Sequence, residues 1–318
     1  MKGSNQTSIK EFILVGFPLA RELELLLFVI FLFYYLLTIM ANALIIAVIR
    51  VDGKLRKPMY YFLKHLAFME MWYITVTVPK LLAMLLVQNR SISITGCITQ
   101  LYFFMGLCCT ECVLLAMMAL DRFVAICKPL YYSTIMSERI CLLLATVSWM
   151  CGFLISLVKV CYISRLTFCR SNVINHFFCD VSPLLNLSCT DMSLAELVDF
   201  ILALFIQSAP LLVTVVSYAC IVITILRMPT VTGRLKAFST CASHLTVVVI
   251  FFGTTLFIYA RPQRIDSFNS NKLVSMVYTI FTPLLNPLIY TLRNKEVKEA
   301  LVRLLSRNRL FPKTTGSA

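Results

Sequence analysis

Seven apolar stretches, each about as long as a bilayer-crossing helix, run through this chain of 318 residues. They cover Leu25–Ile49, Met59–Val87, Cys97–Ile126, Ile140–Ile163, Leu194–Leu226, Leu235–Ile258 and Leu273–Leu292. A helix needs about 20 apolar residues to cross the hydrocarbon layer. Hydrophobic residues make up 59% of the chain, more than a water-soluble domain of this length requires. The expected fold class is therefore all-α membrane, a seven-transmembrane helix bundle. Residues 1–24 are read as an outer N-terminal segment, 25–292 as the bundle, and 293–318 as a cytoplasmic tail. Val297, Leu301, Leu304 and Leu305 share one face of that tail, which predicts a short amphipathic helix on the inner surface.

The net charge is +14, and its placement orients the bundle. With the Asp121-Arg122 pair inside, 17 of the 29 basic residues fall on inner segments and 10 on outer ones. That bias predicts an outer N-terminus and a cytoplasmic C-terminus in a multi-pass plasma-membrane protein. The basic residues are spread over short links between spans, so a nucleic-acid partner is not expected. Three glycosylation sequons, at Asn5, Asn89 and Asn186, all fall outside in this topology, and Asn5 is the favoured acceptor because it lies farthest from the bilayer.

Polar residues inside the spans are the next signal, because they are expensive in lipid. Asn42 in the first span reads as a contact to a neighbouring helix. Glu70 and Glu111 lie at comparable depth in the second and third spans. If their helices touch, the two carboxyls form a candidate sodium or proton site; otherwise each is protonated and bonded to an amide or hydroxyl. Asp121-Arg122 closes the third span. Pro283 and Pro287 flank Asn286 in the seventh and predict a hinge. Cys97 and the loop residues Cys169, Cys179 and Cys189 give four outward cysteines, which allow three pairings. Cys97–Cys179 with Cys169–Cys189 is the preferred pairing, with Cys97–Cys189 as the main alternative. His176 beside Cys179 suits a soft metal only if that thiol is free, so no metal is expected. No nucleophile–base grouping stands out, so neither an enzyme nor a cofactor is expected.

These residues together resemble a rhodopsin-like G-protein-coupled receptor, and within that class an odorant receptor. The resemblance rests on Met118–Cys127 in the third span, Lys236–Leu245 in the sixth, Pro283–Tyr290 and Leu292–Lys295 at the end of the seventh, Pro58–Leu63, Cys97 and the three loop cysteines. It runs from about Phe12 to Leu301. The chain departs from the family's pattern in carrying Glu70 for aspartate, and Leu120, Phe123 and Phe252 for tyrosines. Phe104 stands where amine receptors carry an acid, and Ile280 where visual pigments carry the retinal lysine.

The resemblance implies a ligand pocket in the outer half of the bundle. Its available lining is Phe104, Met105, Cys108, Cys109, Leu202, Ile206, Thr255, Tyr259 and Tyr278. That apolar set with a few hydroxyls and sulfurs suits a small, volatile, mostly neutral odorant. The resemblance further implies a switch to a heterotrimeric G protein of the stimulatory olfactory type, raising cyclic AMP. Asp121, Arg122, Tyr218, Lys236, Asn286, Pro287 and Tyr290 would carry it. The rival reading is an ion or proton transporter or channel using Glu70 and Glu111. Against it, the chain shows no internal repeat and no paired broken helices.

Overall fold

The computed structural model describes residues 10–169, 171–189, 193–259, 272 and 274–309. Its long helices are α1 (Arg21–Val51), α2 (Pro58–Val87), α3 (Ile94–Cys127), α4 (Glu138–Ile163), α5 (Ser193–Leu226), α6 (Val231–Tyr259), α7 (Thr282–Arg293) and α8 (Lys295–Arg309). Six of them are long and apolar enough to cross a membrane, and the apolar helix Val274–Tyr290 adds a shorter seventh. Local chemistry sets several of their boundaries. Pro58 occupies the first turn of α2, where its missing N–H costs nothing. The Ser93 hydroxyl accepts from Gly96 N–H and caps α3. Pro129 follows the end of α3 and opens a short 3₁₀ turn.

Helix α3 is the axis of the bundle. It touches α2, α4, α5 and α6 and is the most deeply buried span. Helices α1 and α2 pack together, and α1 also meets α7. Contact between α3 and α4 is close because Gly152 faces Gly106 and Thr110. Small residues let backbones approach in a medium where the hydrophobic effect does not drive helices together. The Ser156 hydroxyl donates to the Tyr102 carbonyl across the same interface, 2.7 Å away.

A three-stranded sheet, not anticipated by the helical reading, lies at the end of the bundle that carries the disulfides. This is the end expected outside from the sequence, here called outer, and the opposite end is called inner. Strand β1 (Glu11–Leu14) lies between β2 (Ser91–Ser93) and β3 (Val173–Ile174), antiparallel to the first and parallel to the second. Phe12 and Leu14 point inward and are fully buried, while Glu11 and Ile13 face out. A short apolar-alternating segment thus becomes a strand only because two loops supply partners. Helix α8 turns off α7 at Asn294 and buries Val297 and Ala300 against the bundle. Lys57, just before α2, and Tyr60 of α2 bind Glu296 of α8 at 2.6 and 2.7 Å, and Arg303 binds Asp52 at 2.7 Å. The side chain of Leu305 lies outside the described ones.

Candidate functional site

In the outer half, α3 presents Phe104, Met105, Cys108 and Cys109, all buried. Phe104 is clasped between Tyr73 of α2 and Phe178 of the outer loop, with ring centroids 5.2 and 4.6 Å away. Across the bundle, Ile206 of α5 and Thr255 of α6 are buried and Leu202 is half-buried. Gln207 links these faces: its Oε1 accepts from the Cys112 thiol of α3 at 3.9 Å and lies 3.5 Å from the Thr255 hydroxyl. The side chains of Tyr259, Tyr278 and Lys236 lie outside the described ones, as does Asn5.

The outer loop closes over this region. Cys97–Cys179 and Cys169–Cys189 are the disulfides, which consumes the Cys179 thiolate that a metal beside His176 would need. Gln100 of α3 accepts from Cys179 N–H at 3.0 Å and donates to the Val76 carbonyl of α2 at 2.9 Å, pinning the loop beside its disulfide. His176, Phe177 and Phe178 are buried beneath it. Phe178 N–H donates to His176 Nδ1, so the imidazole proton sits on Nε2, 3.3 Å from the Ser275 hydroxyl. Burial drives His176 down to about 3, helped by the Lys272 charge, so the ring is neutral. Burial likewise pushes Asp180 up to about 6. The Lys272 ammonium donates to the Gly16 carbonyl at 3.0 Å, and Phe17 stacks on Phe177. An ion pair at 2.8 Å between buried Lys159 of α4 and half-buried Asp199 of α5 lies close to Asp180.

Midway down, the Asn286 amide donates to Glu70, and Glu111 lies within electrostatic reach of both. Glu70 Oε2 and Glu111 Oε1 are buried without a hydrogen-bond partner among the described residues. The helices do bring the two carboxyls to one locus. The hinge next to them is chemically specific. Pro287 has no N–H, so the Pro283 carbonyl loses its helical donor. Asn42 of α1 replaces that donor, its amide reaching the Pro283 carbonyl at 3.0 Å.

At the inner end, Arg122 binds Asp121 through Nη2 at 2.7 Å and Nε at 3.2 Å. The Tyr132 hydroxyl donates to the other Asp121 oxygen at 2.7 Å. Tyr218 of α5 and His244 of α6 share a hydrogen bond of 2.7 Å and stack. Tyr290 is fully buried. Ala119, Tyr218, Ile221, Ile225 and Cys241 form a small apolar cluster separate from the main core. The inner end of α6 thus packs on a local patch, with Phe123 lying against both it and the main core.

Sequence reasoning passed over Gln100, Tyr132, Lys159, Asp199 and Gln207. Lys159 and Gln207 carried the signal that marked Glu70, a polar side chain within an apolar run. Tyr132 carried none, since its partner lies eleven residues away across a turn.

The family model for olfactory receptors matches residues 31–308. The chain belongs to the olfactory receptor family. Human olfactory receptor 6B1 is 60% identical over 304 residues, covering 96% of this chain and 97% of that one. Mouse olfactory receptor 6B9 is 57% identical over 305 residues, with 96% of each covered. The crystal structure of squid rhodopsin shares the fold at a TM-score of 0.68 and 15% identity, over 95% of this chain and 93% of that one. The olfactory receptor is therefore a multi-pass membrane receptor of the G-protein-coupled class, not an enzyme, and family membership favours a receptor over a transporter.

Proposed function

We propose that this receptor binds small, volatile, mostly apolar odorants in the outer half of its bundle and activates a stimulatory olfactory-type G protein, raising cyclic AMP. The observation that carries the reading is Arg122, a cation buried at the inner end of α3 and held by Asp121. A buried charge bound to one neighbour is a group that a partner can capture when the helices shift. Odorant contact among Phe104, Met105, Cys108, Cys109, Leu202, Ile206, Thr255, Tyr259 and Tyr278 biases α6 outward. Asp121 then releases Arg122, Tyr218 and Tyr290 repack, Asn286-Pro287 bends, and Lys236 lies on the face that meets the G protein.

Orientation belongs to the same proposal. The N-terminus, with Asn5 glycosylated, lies outside the plasma membrane and the C-terminus in the cytoplasm. The charge bias of the links and the two disulfides of the outer loop support it. Glu70 and Glu111, with free buried oxygens beside Asn286, act as a sodium or proton site that steadies the resting bundle.

The test is cyclic AMP in cells displaying the receptor, screened against chemically varied volatiles. A response is expected from the native chain and lost in Arg122→Ala at equal surface display. An undiminished response in that variant overturns the coupling role. Access of antibody to an N-terminal tag on intact cells checks the orientation.

A further inference from the structure

A cavity of about 750 Å³ opens on the lipid side between the inner halves of α1, α2 and α4, and its lining includes neither the residues of the odorant region nor Arg122. Its polar lining is basic: Arg50 of α1, with Lys64 and His65 of α2. Neither Arg50 nor Lys64 has a carboxylate within ion-pair distance among the described residues, whereas nearby Lys57 and Arg303 are matched by Glu296 and Asp52. The Lys64 ammonium sits 4.7 Å over the Tyr61 ring, one turn nearer the inner end of α2. It therefore reaches toward the headgroup level, as a lysine stem in hydrocarbon does. Trp149 of α4 donates its indole N–H to His65 Nδ1 at 3.3 Å, which places the imidazole proton on Nε2 as a further donor. Phe68 and Trp149 form the apolar wall above.

We propose that this groove is a binding site for one anionic phospholipid of the cytoplasmic leaflet. The phosphate engages Arg50 and Lys64, and the acyl chains run along Phe68 and Trp149. The cavity falls within the size range of small-molecule sites. Guanidinium–phosphate pairing is directional and strong, and the cytoplasmic leaflet is the one rich in anionic headgroups. A zwitterionic headgroup has no net charge to set against two unmatched cations, whereas phosphatidylserine keeps a net negative charge because its carboxylate offsets its ammonium. A sterol brings one hydroxyl and leaves both unmatched. The leaflet rests on the orientation proposed above; the lipid class rests on the groove alone.

Native mass spectrometry of the purified receptor in detergent, titrated with phosphatidylserine or phosphatidylcholine of the same chains, tests this without reference to leaflet or signalling. One phosphatidylserine adduct is expected, at least tenfold tighter than phosphatidylcholine. Arg50→Gln with Lys64→Gln should abolish that preference, and Lys54→Gln with Arg56→Gln, outside the groove, should retain it. Ala47→Trp, on the exposed face of α1, fills the groove without altering charge and should also remove the adduct. Equal binding of the two lipids by the native receptor, phosphatidylserine retained in both groove variants, or cholesterol taken in preference to phosphatidylserine overturns the proposal.

Discussion

At the scale of single residues, the tightest constraint is Gly152. A Cβ there would lie 2.6 Å from Thr110 N and 2.7 Å from the Gly106 carbonyl, both backbone atoms of α3. Backbone cannot swing aside as a flexible side chain can, so α4 must move. Gly152→Ala is expected to cost about 1–3 kcal/mol, typical of overpacking, read as a lower melting temperature of the purified receptor. An unchanged melting temperature would mean that the α3–α4 separation is softer than this contact implies. Tyr132 supports a second prediction. Its hydroxyl holds Asp121 on the side away from Arg122. A hydrogen bond to a charged group contributes about 1.5–3 kcal/mol. Tyr132→Phe should loosen Asp121 and raise unstimulated cyclic AMP several-fold at equal surface display; a basal level equal to the native one would show that the tyrosine does not hold the resting state. The Asp121-Arg122 pair was legible because both charges close one apolar run. Tyr132 was not, because sequence distance hides a contact made around a turn.

At the scale of elements, the outer lid is where sequence reading fell short. Residues Glu11–Leu14 contain two inward apolar side chains, Phe12 and Leu14, too few for a periodic signal. Their strand pairing is non-local, with Ser91–Ser93 and Val173–Ile174. The loop they cover contains two buried titratable groups shifted in opposite senses. His176 has a folded value near 3, below its ordinary 6.5, so its contribution is present above pH 6.5 and is lost as pH falls. Asp180 has a folded value near 6, above its ordinary 3.8, so its contribution is present below 3.8 and is lost as pH rises through 6. Between about pH 4 and 6 the two slopes oppose, each approaching roughly 1 kcal/mol per pH unit. Removing either group should expose the other. Relative to the native receptor, His176→Gln should gain melting temperature as pH falls from 6.5 to 4. Asp180→Asn should lose it over pH 6 to 4. Parallel curves for native and variant receptors would show that neither group stays buried in the folded state. The groups facing this pair from neighbouring elements are Lys272 for His176, and Lys159 with Asp199 for Asp180.

At the scale of the whole molecule, the helices were legible because lipid leaves the backbone little alternative: a long apolar run must satisfy its own hydrogen bonds. The seventh was the weakest signal, interrupted by two prolines and repaired by Asn42, 241 residues from Pro283 in sequence. The candidate site was readable where polar residues stood out against apolar runs, as at Glu70, Glu111 and Asn286. It was hidden where meaning lies in a cross-helix partner, as at Gln207. The disulfides rank by the same long-range logic. Cys97–Cys179 closes 82 residues and ties the outer loop to the central helix, whereas Cys169–Cys189 closes 20 within the loop. Loop-closure entropy grows slowly with span, giving about 4–5 kcal/mol for the first and about 3 for the second. Breaking the first also frees the anchor beside Gln100, so the lid and α3 lose their common fixed point. Paired replacement of Cys97 and Cys179 by serine should therefore lower the melting temperature and surface display more than paired replacement of Cys169 and Cys189. The reverse order would mean that the lid is held chiefly by its own ring and its sheet, not by its bond to α3.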